Sequence, residues 1–202
     1  FAILVFTPPA AGASFRPGSN GVEIARLVVA SAVRSQPTSE SSLRGRIAAI
    51  RPLTRQQTAL PVVRRAEDRH GAEWLLVRLP GRPVGRVGWI PARNAVVVRS
   101  PWWVVVNRTA RQATVYRNGR LDRRFSIVVG AASTPTPAGR YFVVEHVPQA
   151  PGSILGPWAL ATSAFSHVLQ EFDGGPGQIA LHGRAGPLAR DALGTARSHG
   201  CI

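Results

Sequence analysis

The chain opens on an unbroken apolar run, Phe-Ala-Ile-Leu-Val-Phe, followed by small residues that include Ala-Gly-Ala. Six residues cannot span a bilayer. Two readings of this run stand side by side: the remnant of an export signal or membrane anchor, or an ordinary hydrophobic stretch. Residues 7–20 are rich in Pro, Gly, Ala and Ser and read as linker. In "GVEIARLVVASAVRS" the apolar positions Val22, Ala25, Leu27, Val28 and Val29 predict a short helix, which "QPTSESS" stops. Little order is expected before Ser42.

From residue 43 the pattern changes. "LRGRIAAI", "TALPVVRR", "EWLLVRLP", "VGWIP" and "AVVVRS" are short β-prone runs separated by Gly and Pro. Their spacing suits a small barrel of about five strands. The stretch "GAEWLLVRLPGRPVGRVGWIPARNAVV", through Trp74, Gly88, Trp89 and Ile90, resembles a bacterial SH3-like domain. That resemblance implies a targeting or spacing module at residues 43–99, in some relatives one that binds cell-wall material. Both tryptophans also suit a plain core role.

A second domain is expected over residues 100–202. "WWVVVNRTARQATVYRNGRLDRRFSIVVG" alternates strand and turn, and Asn118-Gly119 is a strong hairpin signal. "YFVVEHV", "WALAT" and "QIALHG" supply three more strands, and "GPLARDAL" a turn or two of helix. The fold class is therefore mainly β: a small SH3-like barrel, then a β-sandwich or mixed-sheet domain with little helix.

Charge alters this picture only slightly. The net charge is +15, and all 25 basic residues are Arg. Their scatter, with no dense basic run, argues against a nucleic-acid partner and suits an anionic surface or acidic substrate. Residues 1–99 hold 15 Arg against 5 acids, and residues 100–202 hold 10 against 5. The single cysteine, Cys201, excludes an internal disulfide and any multi-cysteine zinc site. The chain does not begin with Met and stops one residue past that cysteine, so a fragment of a longer protein is expected.

The closing "SHGCI" carries the chemistry. A thiol with its ordinary pKa of about 8.5 is mostly protonated at neutral pH. A nearby imidazole can take the proton, and the resulting thiolate attacks carbonyls. Backbone N–H groups in a tight turn can hold the oxyanion, and Gly200, lacking a Cβ, permits such a turn. Two histidines qualify as the base. His199 is two residues from Cys201, and His182 ends the run "QIALHG" ahead of the loop "RAGPLARDALGTAR". Spacing alone leaves both open. The reading depends on the strand-end imidazole of His182 coming within bonding reach of the sulfur, so that the pair ionises together.

A His-Gly, a gap of 15 residues from His182 to Ser198, then Ser-His-Gly-Cys-Ile resembles the signature of the L,D-transpeptidases that cross-link peptidoglycan. "VVGAASTPTPAGRYFV" is similar to that family's Thr-Pro-Thr-Pro segment, through Gly130, Thr136, Pro137, Gly139 and Phe142. The resemblance covers residues 101–202. It implies Cys201 as nucleophile and His182 as its base, with Gly183 contributing a backbone carbonyl that orients the histidine. His199 and Gly200 match residues shaping the site and its oxyanion pocket, and Ser198 the small hydroxyl before them. Arg184, Arg190 and Arg197 lie in or beside the loop, where Arg184 and Arg197 are candidates to meet stem-peptide carboxylates.

The implied reaction is a 3→3 cross-link through a thioester, releasing D-Ala from a tetrapeptide stem, with no metal or organic cofactor. Carbapenems are implied inhibitors, and an exported, wall-associated location follows. The alternatives are an L,D-carboxypeptidase, another cysteine peptidase, or a wall-binding protein without catalysis. A papain-like order is disfavoured, because His182 precedes Cys201.

Overall fold

The structure is a computed structural model that describes the backbone of residues 2–7 and all of residues 18–202. Residues 8–17, most of the expected linker, lie outside the described residues. The opening apolar run forms β1 (Ala2–Thr7), a strand paired on both sides within a sheet.

Residues 22–100 make one compact unit. It contains β2 (Val22–Leu27), β3 (Ser31–Arg34), β4 (Leu43–Ile47), β5 (Ala59–Glu67), β6 (Glu73–Arg78), β7 (Val87–Pro91) and β8 (Ala95–Ser100). They form one seven-stranded sheet in the order β4-β3-β7-β6-β5-β2-β8, with antiparallel pairing throughout. The helix expected near residues 21–35 is instead the pair β2 and β3, so order begins well before Ser42.

The reason lies in partners distant in sequence. β2 pairs with β5 on one side and β8 on the other. Ile24, Ala25 and Leu27 are sealed from solvent, whereas Val28 and Val29, counted toward a helical face, sit half-exposed in the turn after β2. Trp74 and Trp89 are both core, at 3% and 5% exposure. The indole N–H of Trp74 donates to Asp68, whose carboxylate also accepts from the backbone N–H of His70 and Ala72.

The second unit joins residues 101–202 to β1. Its strands are β9 (Trp102–Asn107), β10 (Gln112–Arg117), β11 (Arg120–Ser126), β12 (Val129–Gly130), β13 (Gly139–Pro148), β14 (Trp158–Phe165), β15 (Gln178–His182) and β16 (Ala196–Ser198). The main sheet runs β11-β10-β9-β1-β13-β14-β15 and is mixed. β1 pairs parallel with β9 and antiparallel with β13. β12 and β16 form a separate parallel pair.

The hairpin between β10 and β11 turns on Asn118 and Gly119, both at positive φ (51° and 74°). This is the geometry that a two-residue hairpin demands. Among the described residues helix is confined to short 3₁₀ turns, at Ala92–Asn94 and Gly186–Arg190, so the chain is mainly β. Among them no helix is long and apolar enough to cross a membrane.

The core of this unit gathers Val106, Ala113, Ile127, Val129, Tyr141, Val143, Ala164 and Ile179. Leu181 on β15 and Ile202 at the chain end pack against it. Those two contacts orient everything at the candidate site.

Candidate active site

Ile202 is docked beside β15 by two backbone bonds. Its N–H donates to Ala180 O and its carbonyl accepts from the His182 N–H, each at 2.9 Å. This is the parallel ladder pattern with Ile202 opposite Leu181, and both side chains face the core. Side chains alternate faces along extended chain. Cys201 and His182 therefore emerge on the other face, with Cys201 beside Ala180 and His182 one diagonal step away. In such a register diagonal neighbours are about 7–8 Å apart at Cα, within reach of longer side chains.

β15 is itself anchored where its ladder with β14 breaks. The pairing shifts between Ala161 and Phe165, and side chains fill the gap. The Thr162 hydroxyl, fully buried, donates to Ile179 O at 2.7 Å and accepts from the Ala164 N–H at 3.1 Å. Gln178 Nε2 donates to Thr162 O at 2.6 Å. The strand that carries His182 is thus held by sheet bonds and by these side-chain bonds together.

The imidazole of His182 meets the Gly183 carbonyl through Nδ1 at 2.6 Å. A carbonyl only accepts, so Nδ1 carries the hydrogen and Nε2 of the neutral ring keeps the lone pair. The sulfur of Cys201 accepts a hydrogen bond from the Ala180 N–H at 3.4 Å. Its partner is a strand amide rather than an imidazole. Burial pushes the Cys201 thiol above its ordinary value, and the Ala180 N–H offsets this in part. A half-buried sulfur against strand backbone loses solvation, which penalises the thiolate.

The turn before Cys201 is stitched from within. Ser198 Oγ donates to Cys201 O at 2.6 Å and accepts from the Gly200 N–H at 3.1 Å. Gly200 adopts φ +118°, a conformation that side chains rarely take. A second set of bonds comes from the loop after β12. The Ala131 N–H and Thr134 Oγ1 donate to Ser198 O at 2.8 and 3.3 Å. Thr136 Oγ1 donates to Gly200 O at 2.8 Å. The Thr-Pro-Thr-Pro motif thus lies directly against the Ser-His-Gly-Cys turn, 64 residues away in sequence for these threonine contacts.

His199 is exposed and its ring tilts against Phe172, with centroids 4.8 Å apart. Arg184 is exposed and donates to the Asp191 carbonyl, closing the loop that contains the Gly186–Arg190 turn. Arg190 and Arg197 are exposed. Among the described residues no group of three or more His, Cys, Asp or Glu is placed to hold a metal. The residues that motif reading left without a role are Thr134, Thr136 and Ala180. Thr136 could have been found from its motif, since a buried hydroxyl needs partners. The Ala180 amide left no sequence signal.

A family model, YkuD, described as the L,D-transpeptidase catalytic domain, matches residues 101–202. No curated protein matches the chain.

Proposed function

We propose, because this chain belongs to the L,D-transpeptidase family through residues 101–202, that Cys201 is the nucleophile of a peptidoglycan acyl transfer with His182 as its base. The family acts on peptidoglycan peptides and is typically inhibited by carbapenems. The observation that carries the reading is the docking of Ile202 on β15, which sets Cys201 and His182 on one face of the sheet edge. The hydrogen on Nδ1 leaves Nε2 as the basic atom, and the Gly183 carbonyl fixes that tautomer.

Because burial raises the Cys201 pKa, His182 is assigned as a general base during attack rather than as a standing ion-pair partner. The sulfur attacks the carbonyl between the third residue of a tetrapeptide stem and its terminal D-Ala. The thiol proton passes to His182 and then to the departing D-Ala amine as the C–N bond breaks. The acyl group remains as a thioester on Cys201. An amine from a second stem displaces it, forming the 3→3 amide and returning the thiol; water in its place would make the activity an L,D-carboxypeptidase.

The Gly200 N–H is already bonded to Ser198 Oγ, so the Cys201 N–H is the donor left for the oxyanion. Exposed Arg184 and Arg197 flank the loop as contacts for stem carboxylates, although Arg184 also serves the loop itself. Residues 22–100 serve as the SH3-like accessory module, a reading supported by the small antiparallel sheet and the buried Trp74 and Trp89. On this reading the enzyme works where its substrate is, outside the cytoplasm at the cell wall.

Mass spectrometry after incubation with a carbapenem tests the nucleophile. The adduct should form on the native chain and be missing from Cys201→Ala. His182→Ala should lose acylation while Cys201 still reacts with iodoacetamide at high pH. Turnover of a tetrapeptide that survives either substitution would reject the mechanism. The products, cross-linked dimer or trimmed tripeptide, separate transpeptidase from carboxypeptidase.

A further inference from the structure

We infer that Thr136 is a positioning residue for the acyl-transfer step, its hydroxyl holding the Gly200 carbonyl so that the other end of the same peptide unit, the Cys201 N–H, is aimed at the oxyanion. The inference rests on the reading of Cys201 as the nucleophile.

The hydroxyl has a defined polarity. The Gly130 N–H can only donate, and it reaches Thr136 Oγ1 at 2.9 Å. The hydroxyl therefore accepts there and directs its single hydrogen to Gly200 O, 2.8 Å away. Thr136 is 2% exposed, so water does not compete for either bond. Its own carbonyl accepts from Arg108 Nη1 at 2.6 Å, a further tie on the residue.

The peptide held in this way needs holding. Gly200, at φ +118°, has no Cβ to restrict it, so the plane of the following peptide is free to rotate unless a bond fixes it. Among the described residues the only cis peptide is Arg82-Pro83, so the Gly200–Cys201 unit is trans and planar. Its C=O and N–H then point in opposite directions. Fixing the carbonyl on Thr136 fixes the amide hydrogen of Cys201. That amide has no hydrogen-bond partner among the described residues, whereas Ser198 takes both the Gly200 N–H and the Cys201 carbonyl. The arrangement leaves one backbone donor beside the sulfur and sets its direction from a buried side chain on a distant loop.

Two reactions of the same sulfur separate positioning from simple structural support. Acylation by a carbapenem passes through an oxyanion; alkylation by iodoacetamide does not. Both are followed on the full chain by intact mass. In Thr136→Val, which keeps the shape and removes the hydroxyl, acylation is expected to fall about 10- to 100-fold while alkylation stays within about twofold. Thr136→Ser, which keeps the hydroxyl, should return the ratio of the two rates to the native value.

Native acylation in Thr136→Val, or a parallel fall of both reactions, would overturn the proposal. If the valine variant does not fold, the serine variant still decides: a native ratio supports the role, and a depressed ratio overturns it. Native protein that is alkylated at Cys201 yet never acylated would instead remove the nucleophile reading itself, and the role of Thr136 with it.

Discussion

Gly130→Ala should disable the candidate site from a position that bears no reactive group. A Cβ built on Gly130 would lie 2.3 Å from Thr134 O, 2.5 Å from Thr136 N and 2.8 Å from the Pro135 carbonyl carbon, all of them backbone atoms. Real Cβ atoms do not approach closer than 3.0 Å, so the loop must retreat by about 0.7 Å or more. That same loop supplies the bonds from Ala131, Thr134 and Thr136 to the Ser198 and Gly200 carbonyls, at 2.8, 3.3 and 2.8 Å. Lengthened by that amount they leave the range of good hydrogen bonds.

Overpacking of this kind costs about 1–3 kcal/mol, and each lost bond about 0.5–1.5 kcal/mol more. With three bonds at stake the total is about 2.5–7.5 kcal/mol, which lowers the melting temperature of a domain this size by roughly 10 °C or more. Displacement of the turn by most of an ångström should slow carbapenem acylation about 100-fold. Thermal unfolding and intact-mass kinetics measure both effects. Gly18→Ala, whose Cβ would meet nothing within 4 Å, is the control. A Gly130→Ala protein that melts within about 2 °C of native and acylates within about twofold of it would refute the claim that this loop sets the turn.

Two further outcomes follow. Because burial raises the Cys201 pKa, its alkylation rate should keep climbing with pH beyond the ordinary thiol value, about 8.5, instead of levelling off at neutral pH. The linked stability has a definite sign: the native thiol holds its proton longer than the unfolded one, so this contribution is present below the unfolded value and is lost as pH rises toward the folded one; a thiolate already formed at pH 7 by ultraviolet absorbance would contradict both statements. Thr162→Val strands the buried Ile179 carbonyl and Ala164 N–H, and should destabilise the unit by about 1–3 kcal/mol in denaturant unfolding; an unchanged midpoint would show that the ladder break between β14 and β15 does not need the hydroxyl.

Legibility differed between elements for physical reasons. The Asn118-Gly119 hairpin and the strands flanking it could be read directly, because positive φ at both turn positions is a local demand met by local residues. The strands ending in His182 likewise follow from short apolar runs between glycines. β2 and β3 could not be read this way. Val22–Leu27 offers apolar positions that suit either period, and only its placement between β5 and β8 decides for strand. β1 is a similar case, since its partners β9 and β13 lie about 100 residues or more away in sequence.

The sequence by itself determined the chemistry on offer: one thiol, a histidine after a strand, a glycine turn between them and a threonine-proline segment upstream. It could not decide which atoms meet. That the sulfur rests on the Ala180 amide, that the Gly183 carbonyl selects the His182 tautomer, and that Thr136 grips Gly200 are consequences of chain segments brought together by a shared core. Hydrogen bonds reach only about 3 Å. Residue type and spacing announce which groups are available, but burial of Leu181 and Ile202 on one side of β15 is what turns Cys201 and His182 to the other.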